Sequence, residues 1–392
     1  MGRICLPAVI AIAVLACAPA VAGAAAAPPR AVYTQTNAPG GNSVAWFARA
    51  ADGKLTLRGT YRTGGLGAPN YFSGFPNTDS QGAVAVNPQK TVLFAVNHGS
   101  RSITSFRILP SGRLRRADIA ASGGKGPASL TVNAKGILYV VNEAPPARLQ
   151  GYRVTTTGQL LAIGGPTNLA NPRSSPGQVG FDATGRFLVV SARFGGADKA
   201  GQDWFEIFRL GAGGRPVALA PVRSVPQEPY AFGFTSRNVL LVANAENNTP
   251  LGSTTTSYLF GGSGGFTRVA AQPTSQTAGC WLVITGDDRF AYVSSGGAPT
   301  VVAYAMSPGG VFRNINPGGL IKLTGLGGEV AVDSASTLLY VLNTDPSGIL
   351  NKDPKAHADV DGFRIGKDGR ATPIGTFGKG RLPFTSAGLA VL

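Results

Sequence analysis

Seven times along the chain an aromatic residue is followed, six positions later, by glycine. The pairs are Phe47 and Gly53, Phe106 and Gly112, Tyr152 and Gly158, Phe208 and Gly214, Tyr258 and Gly264, Tyr304 and Gly310, and Phe363 and Gly369. The aromatic usually lies in an alternating run, such as Ile103-Thr104-Ser105-Phe106-Arg107-Ile108, which reads as a half-buried strand. The glycine lies in a turn, as in Pro110-Ser111-Gly112, where its freedom to take positive φ suits a hairpin. A second strand follows, for example Lys54-Leu55-Thr56-Leu57. Copies spaced 46 to 59 residues apart, all β, predict the blades of a propeller rather than an ordinary β-rich protein.

The strand ahead of each phrase is also recurrent. Leu93–Val96, Leu138–Val141, Phe187–Val190, Leu240–Ala243, Phe290–Val293 and Leu339–Leu342 match Ala31–Thr36 near the start. A further small, apolar strand precedes all of these except the first, as in Gly82–Val86, Ser129–Val132 and Glu329–Val332. The missing copy is Ser386–Leu392, so the C-terminus is expected to complete the N-terminal blade and close the ring. The predicted fold is a seven-bladed β-propeller of four-stranded antiparallel sheets. Its blades run 31–63 with 384–392, then 81–122, 127–164, 176–224, 229–275, 278–320 and 327–377. Residues 30–392 make one domain, and 1–29 are a leader.

That leader has Arg3, an apolar run from Leu6 to Ala16, and small residues through Ala27. The run is too short for a membrane span and reads as an export signal, cleaved near Ala22 or Ala24 or a later alanine. Val14-Leu15-Ala16-Cys17 alternatively resembles a lipobox, which would make Cys17 a lipidated first residue. The protein is therefore expected outside the cytosol, secreted, periplasmic or held at the cell surface. Once the signal is removed, Cys280 and at most Cys17 remain, so no disulfide framework exists in the mature chain. A monomer is expected.

The net charge of +16 favours anionic ligands or anionic envelope polymers. Arg and Lys are scattered, many at turns, and no aromatics interleave with Arg113-Leu114-Arg115-Arg116, so nucleic acid is not the expected partner. There is no P-loop, dinucleotide fingerprint or zinc signature, and no cofactor or metal is expected. Gly261-Gly262-Ser263-Gly264-Gly265 fits G-x-S-x-G but lies in a strand-to-strand turn. Asp353, His357, Asp359 and Asp361 have no metal-loop spacing and read as a solvated loop, although Asp361 begins a strand.

The signal, the phrases Gly82-Ala83-Val84-Ala85-Val86-Asn87-Pro88 and Leu93-Phe94-Ala95-Val96-Asn97, and the Phe-Arg-Ile…Gly-Arg-Leu hairpins resemble the seven-bladed lactonase family. That family includes 6-phosphogluconolactonase-like and carboxymuconate-cyclase-like proteins. The resemblance spans nearly all of the mature chain and implies a lactone-acting hydrolase or cycloisomerase. Members carry histidines on innermost strands in phrases such as Pro-His-x-His. Here the comparable stretches are Pro176-Gly177-Gln178-Val179-Gly180 and Ala278-Gly279-Cys280-Trp281-Leu282, and the two histidines, His98 and His357, lie elsewhere. The family's catalytic histidine cannot be carried over; its Arg and Glu roles point loosely to Arg193 and Glu246.

In an up-and-down blade the one–two and three–four turns share one face, and the two–three loops and interblade links share the other. The long insertions, 62–80, 164–175, 193–203, 245–254 and 344–359, all fall on the second face, which marks it for binding. Two rings should be exposed there. One begins the innermost strands and includes Gln81, Gln178, Trp281 (a stacking wall beside Cys280, itself read as a small core residue) and Glu329. The other ends the second strands and includes Asn97, Asn142, Asn244 and Asn343, which either cap their own backbone or line the channel mouth. Beside them come His98, Glu143, Arg193 and Glu246. Lactone opening needs a base for water and a cation or donors for oxygen. His98, Glu143 or Glu246 would supply the base, and the Arg193 fork would hold a carboxylate. Two readings stand: an enzyme on a small anionic lactone, or a non-catalytic exported propeller binding a carbohydrate, peptide or envelope partner.

Overall fold

A computed structural model describes residues 1–2, 29–68, 71–72, 75–76, 80–193, 203–317, 319–350, 353 and 355–392. The expected export signal and Cys17 lie outside the described residues. Seven antiparallel sheets follow one another around an axis. Blade 2 is representative. Its strands run from axis to rim as Val84–Val86, Val92–Asn97, Ser102–Ile108 and Leu114–Ala121, each paired with the next. In blades 3, 4 and 6 the rim strand is interrupted. Thr167–Asn168, for instance, resumes the pairing after Leu160–Ala162, inside a stretch expected to be loop. The insertion ahead of the last blade's third strand holds a short helix, Pro346–Leu350.

The seven repeat aromatics are all buried. The seven glycines all have φ between +80° and +91°. Each glycine donates its N–H back three residues, as Gly112 does to Leu109 and Gly369 to Gly366, so it occupies the left-handed position of a short hairpin loop. Apolar clusters lie between blades rather than within one. Tyr33, Phe106 and Leu114 share one cluster across blades 1 and 2, and Ile137, Leu188 and Phe208 share another across blades 3 and 4. A single sheet buries only one side; the ring lets each bury two.

A second tie follows the same geometry. The Tyr33 hydroxyl donates to the Gly112 carbonyl of the next blade (2.7 Å), as do Tyr139 to Gly214, Tyr292 to Gly369 and Tyr340 to Gly53. Where the equivalent position is Phe94 or Leu241, the residue paired with it on strand three supplies the hydroxyl. Ser105 donates to Gly158 and Ser257 to Gly310, both at 2.6 Å. Only blade 4, with Val189 opposite Ile207, lacks such a bond among the described residues.

The ring closes as expected. Ala387–Val391 pairs with Ala31–Gln35, with Val32 opposite Val391 and Tyr33 opposite Ala390. It supplies the innermost strand of blade 1. Leu392 donates its N–H to Ala31, and Arg49 donates to the Leu392 carbonyl at 2.6 Å while lying 3.6 Å from Asp333 of blade 7.

The innermost strands of blades 3 to 7 start earlier than the sequence suggests, at Lys125, Ser175, Pro229, Gly279 and Leu326, and each carries a register shift in its upper half. Such bulges turn side chains out of the ladder. Blade 2 differs, because its inner strand begins only at Val84. The residues before it leave the sheet and cross the axis. Gln81 receives the Leu282 N–H (2.8 Å) and donates to the Leu282 carbonyl (2.9 Å), closing a paired amide bond with blade 6. Its backbone N–H reaches Gly177 of blade 4, and Gly82 N–H reaches Glu329 of blade 7 at 3.0 Å.

Candidate active site on the loop face

Three of the expected site residues belong to this crossing. Gln81, Trp281 and Glu329 hold it rather than an open mouth: Trp281 Nε1 donates to the Ser80 carbonyl at 3.0 Å and its ring meets Tyr230 edge-on at 5.2 Å. Gln178 makes the same paired amide bond as Gln81, here to Phe232 of the next blade (2.7 and 3.0 Å). A glutamine amide matches a backbone amide in donor and acceptor, so it continues a ladder where strands diverge. Glu329 accepts from Gly82 through one oxygen, while the other is buried and has no hydrogen-bond partner. Burial pushes its carboxyl up to about 8, so it stays protonated well into the neutral range.

The ring that ends the second strands is buried in every blade. Asn97 donates to Ser102 and Thr104 and accepts from Asn42; Asn142 donates to the Ser122 and Arg148 carbonyls. Asn244 bonds Thr254 and Thr256, and Asn343 donates to Thr324. These amides brace the third strand and the incoming link.

The four residues beside that ring fall into two groups. His98, just after the second strand of blade 2, and Glu143, at the end of the second strand of blade 3, meet: Nε2 lies 2.9 Å from Oε1, with both side chains less than one-fifth exposed. The other imidazole nitrogen, Nδ1, is buried without a hydrogen-bond partner. The start of the blade 3 inner strand makes the contact possible, because Gly126 (φ +63°) runs beneath the ring and a Cβ there would sit 2.8 Å from Nε2. An ionised Glu143 makes Nε2 the donor of this hydrogen bond.

Arg193 and Glu246 do not join that pair in any described contact. Arg193 is 2% exposed. Its guanidinium lies 4.2 Å over the Tyr230 ring, donates to the Ser175 carbonyl at 3.2 Å and stands 4.0 Å from Glu228 Oε1. A fork held this way braces blade 4 against blade 5. Sequence reasoning missed Glu228, whose left-handed backbone (φ +54°) places its N–H on Asp203 at 2.7 Å. No local motif marks it. Glu246 accepts from Thr254 (2.9 Å) and the Gln227 N–H (3.3 Å), and burial, with Asp203 nearby, raises its carboxyl above the ordinary range. His357, Asp359 and Asp361 alternate along the strand His357–Ile365 instead of lying in a solvated loop. Asp361 is buried and accepts from Thr324 and Thr376. Among the described residues no cluster of three or more His, Cys, Asp or Glu could hold a metal.

Residues 41–172 match the family model Lactonase, 7-bladed beta-propeller. The chain is a seven-bladed propeller, and this segment of it is similar to the lactonase family. Solved structures agree on the fold. The periplasmic gluconolactonase of Pseudomonas aeruginosa is 19% identical with a TM-score of 0.67, over 93% of this chain and 99% of that one. A proposed 6-phosphogluconolactonase of Bacteroides fragilis is 15% identical (TM-score 0.67; 93% and 98%). A hypothetical selenium-binding protein from Sulfolobus tokodaii is 11% identical (TM-score 0.63; 93% and 94%). No curated protein sequence matches. The family match takes in both His98 and Glu143 and stops short of Arg193 and Glu246. No helix among the described residues is long and apolar enough to cross a membrane.

Proposed function

We propose that this propeller hydrolyses a small lactone at its loop face, with His98 as the base and Glu143 as the group that positions it. The observation that carries the reading is the His98–Glu143 contact, made between adjacent blades and inside the family-matched segment. The carboxylate holds Nε2, and the step requires the imidazole, whose Nδ1 is buried here, to be uncovered on substrate binding so that Nδ1 takes the proton from an attacking water. The water oxygen bonds to the lactone carbonyl carbon, and the ring C–O bond breaks. The imidazolium returns its proton to the departing alkoxide, giving a hydroxy acid. The gluconolactonase among the structural relatives makes a sugar lactone the first substrate to try. Arg3 before an apolar run supports export, so this reading has the activity outside the cytosol.

A binding role without chemistry draws on one observation: Arg193, expected to clamp an anion, is buried in a blade-to-blade contact. The decisive experiment is a pH-stat assay on glucono-δ-lactone, γ-butyrolactone and an acyl-homoserine lactone. The enzyme reading expects turnover above buffer, lost about 100-fold or more in His98→Gln and partly in Glu143→Gln, with folding unchanged by circular dichroism. Absence of turnover, or turnover indifferent to His98→Gln, leaves the binding role.

A further inference from the structure

The face opposite the loops carries its own pattern. In blades 2, 3, 4 and 5 the short turn between strands one and two holds one cation each: Lys90, Lys135, Arg186 and Arg237. None forms an ion pair with another described residue. In blades 2, 3, 4 and 7 the residue directly after the repeat aromatic is an exposed arginine, Arg107, Arg153, Arg209 or Arg364, beside the three–four turn on the same face; Arg364 is engaged with the neighbouring turn, donating to the Asp52 carbonyl at 2.9 Å. The exposed carboxylates of this face lie in the other blades, and three of them stand beside a cation of their own. Asp52 is 3.2 Å from Lys54, Asp287 is 3.7 Å from Arg289 and Asp368 is 3.8 Å from Arg370. Within the basic sector Asp182 is buried and accepts from the backbone N–H of Arg186 and Phe187.

Two details identify the counterpart. Arg107 is paired directly across the ladder with Arg115, both exposed, and like charges so placed destabilise a sheet unless an anion lies over them. Leu161 (53% exposed) and Val217 (45% exposed) stand directly opposite Arg153 and Arg209. Cations alternating with exposed aliphatic side chains fit the headgroup layer of a bilayer, where charge meets phosphate and the aliphatic groups reach below it. The sector offers no exposed aromatic residue for stacking bases.

We propose that blades 2 to 4 dock, through their turn face, on an anionic lipid surface, leaving the loop face and the His98–Glu143 pair directed away from it. The test is co-sedimentation of the full chain with phosphatidylglycerol/phosphatidylcholine vesicles and with phosphatidylcholine vesicles, at low and high salt. The expected result is binding to the anionic vesicles only, weakened at high salt as the Debye length shortens. The Arg107→Gln/Arg153→Gln/Arg209→Gln variant should bind roughly 100-fold more weakly. A variant with the same charge loss on the other face, Lys125→Gln/Arg173→Gln/Lys355→Gln, should lose much less. Equal binding to both vesicle types, no binding at all, an unaffected first variant, or equal loss in the two variants overturns the proposal. So does retention on a soluble sulfated polysaccharide without vesicle binding.

Discussion

A carboxyl group with one oxygen on the Gly82 N–H and the other buried without a partner keeps its proton because water cannot solvate the anion. The folded protein therefore binds a proton at Glu329 that the unfolded chain has released over the window from about 4.5 to about 8. In that window the native state holds more protons than the unfolded state, so stability must fall as pH rises, by about 1.4 kcal/mol per pH unit at most. Below the window Glu329 adds no such slope, and above it the loss is complete. Glu329→Gln keeps an acceptor for Gly82 and removes the charge. Thermal melts between pH 5 and 9 should show the variant overtaking the parent at the alkaline end with a flatter profile; parallel curves would refute this. That Gln81 and Glu329 lie at the approach to the inner strands was legible from the repeat, although those strands run from Val84 and from Leu326. Their partners were not, since Gln81 meets a strand 201 residues away, across an axis whose width follows from packing rather than pattern. Arg193 misled for a related reason. An arginine at a strand end reads as a ligand group until Tyr230, one blade on, is seen beneath it.

At the level of the strand, the repeat glycines were readable because positive φ excludes most other residues at that turn. What the glycine carbonyls do was not, because the donor alternates between strand two and strand three from blade to blade. In blades 3, 6 and 7 the tyrosine faces a glycine or alanine, whereas in blade 1 Tyr33 faces Trp46. A Cβ on Gly151 would sit 2.7 Å from Tyr139 Cζ, and the residue paired with Tyr292 is Ala303. Serine opposite Phe94 or Leu241 restores the hydroxyl from the other side. The interblade bond is thus conserved in position while the residue supplying it changes, which predicts a compensated swap. Ser105→Ala strands the buried Gly158 carbonyl and should cost about 1–3 kcal/mol in urea denaturation. Adding Phe94→Tyr with glycine at 105 imports the blade 3 arrangement and should recover most of that loss. A double variant no more stable than Ser105→Ala would mean the hydroxyl bond has little part in holding blades together.

For the ring as a whole, closure decides whether seven marginal sheets become one domain. An isolated four-stranded blade buries too little to be stable alone, and each gains its second apolar face from a neighbour. The closing strand joins the two ends of the chain. It puts Leu389 in the cluster with Val32 and Tyr340, Ala390 and Leu392 in the cluster between blades 1 and 2, and Ala387 in the one between blades 2 and 3. Its Gly388 (φ +77°) packs against Val84, where a Cβ would come within 2.7 Å. This topology was readable because a missing first strand and a surplus last one are the same length and pattern. The plugged axis was not, since nothing local distinguishes Ser80-Gln81-Gly82 from any other strand approach. Removing residues 387–392 should therefore damage more than blade 1. It strips an inner strand from between blades 7 and 2 and unsupports the Gly82–Glu329 bond behind it. The expected outcome is loss of a single cooperative unfolding transition, read by calorimetry, and of near-ultraviolet circular dichroism, since Tyr33 loses its strand neighbour Ala390. A synthetic peptide of residues 386–392, added in excess, should restore both signals by refilling the vacant ladder position, because Tyr33 and Val32 still present their backbone groups to it. A truncated chain that melts cooperatively at the parent temperature without peptide would show that blades 2 to 7 hold the arc unaided, and that the paired ends contribute nothing to its stability.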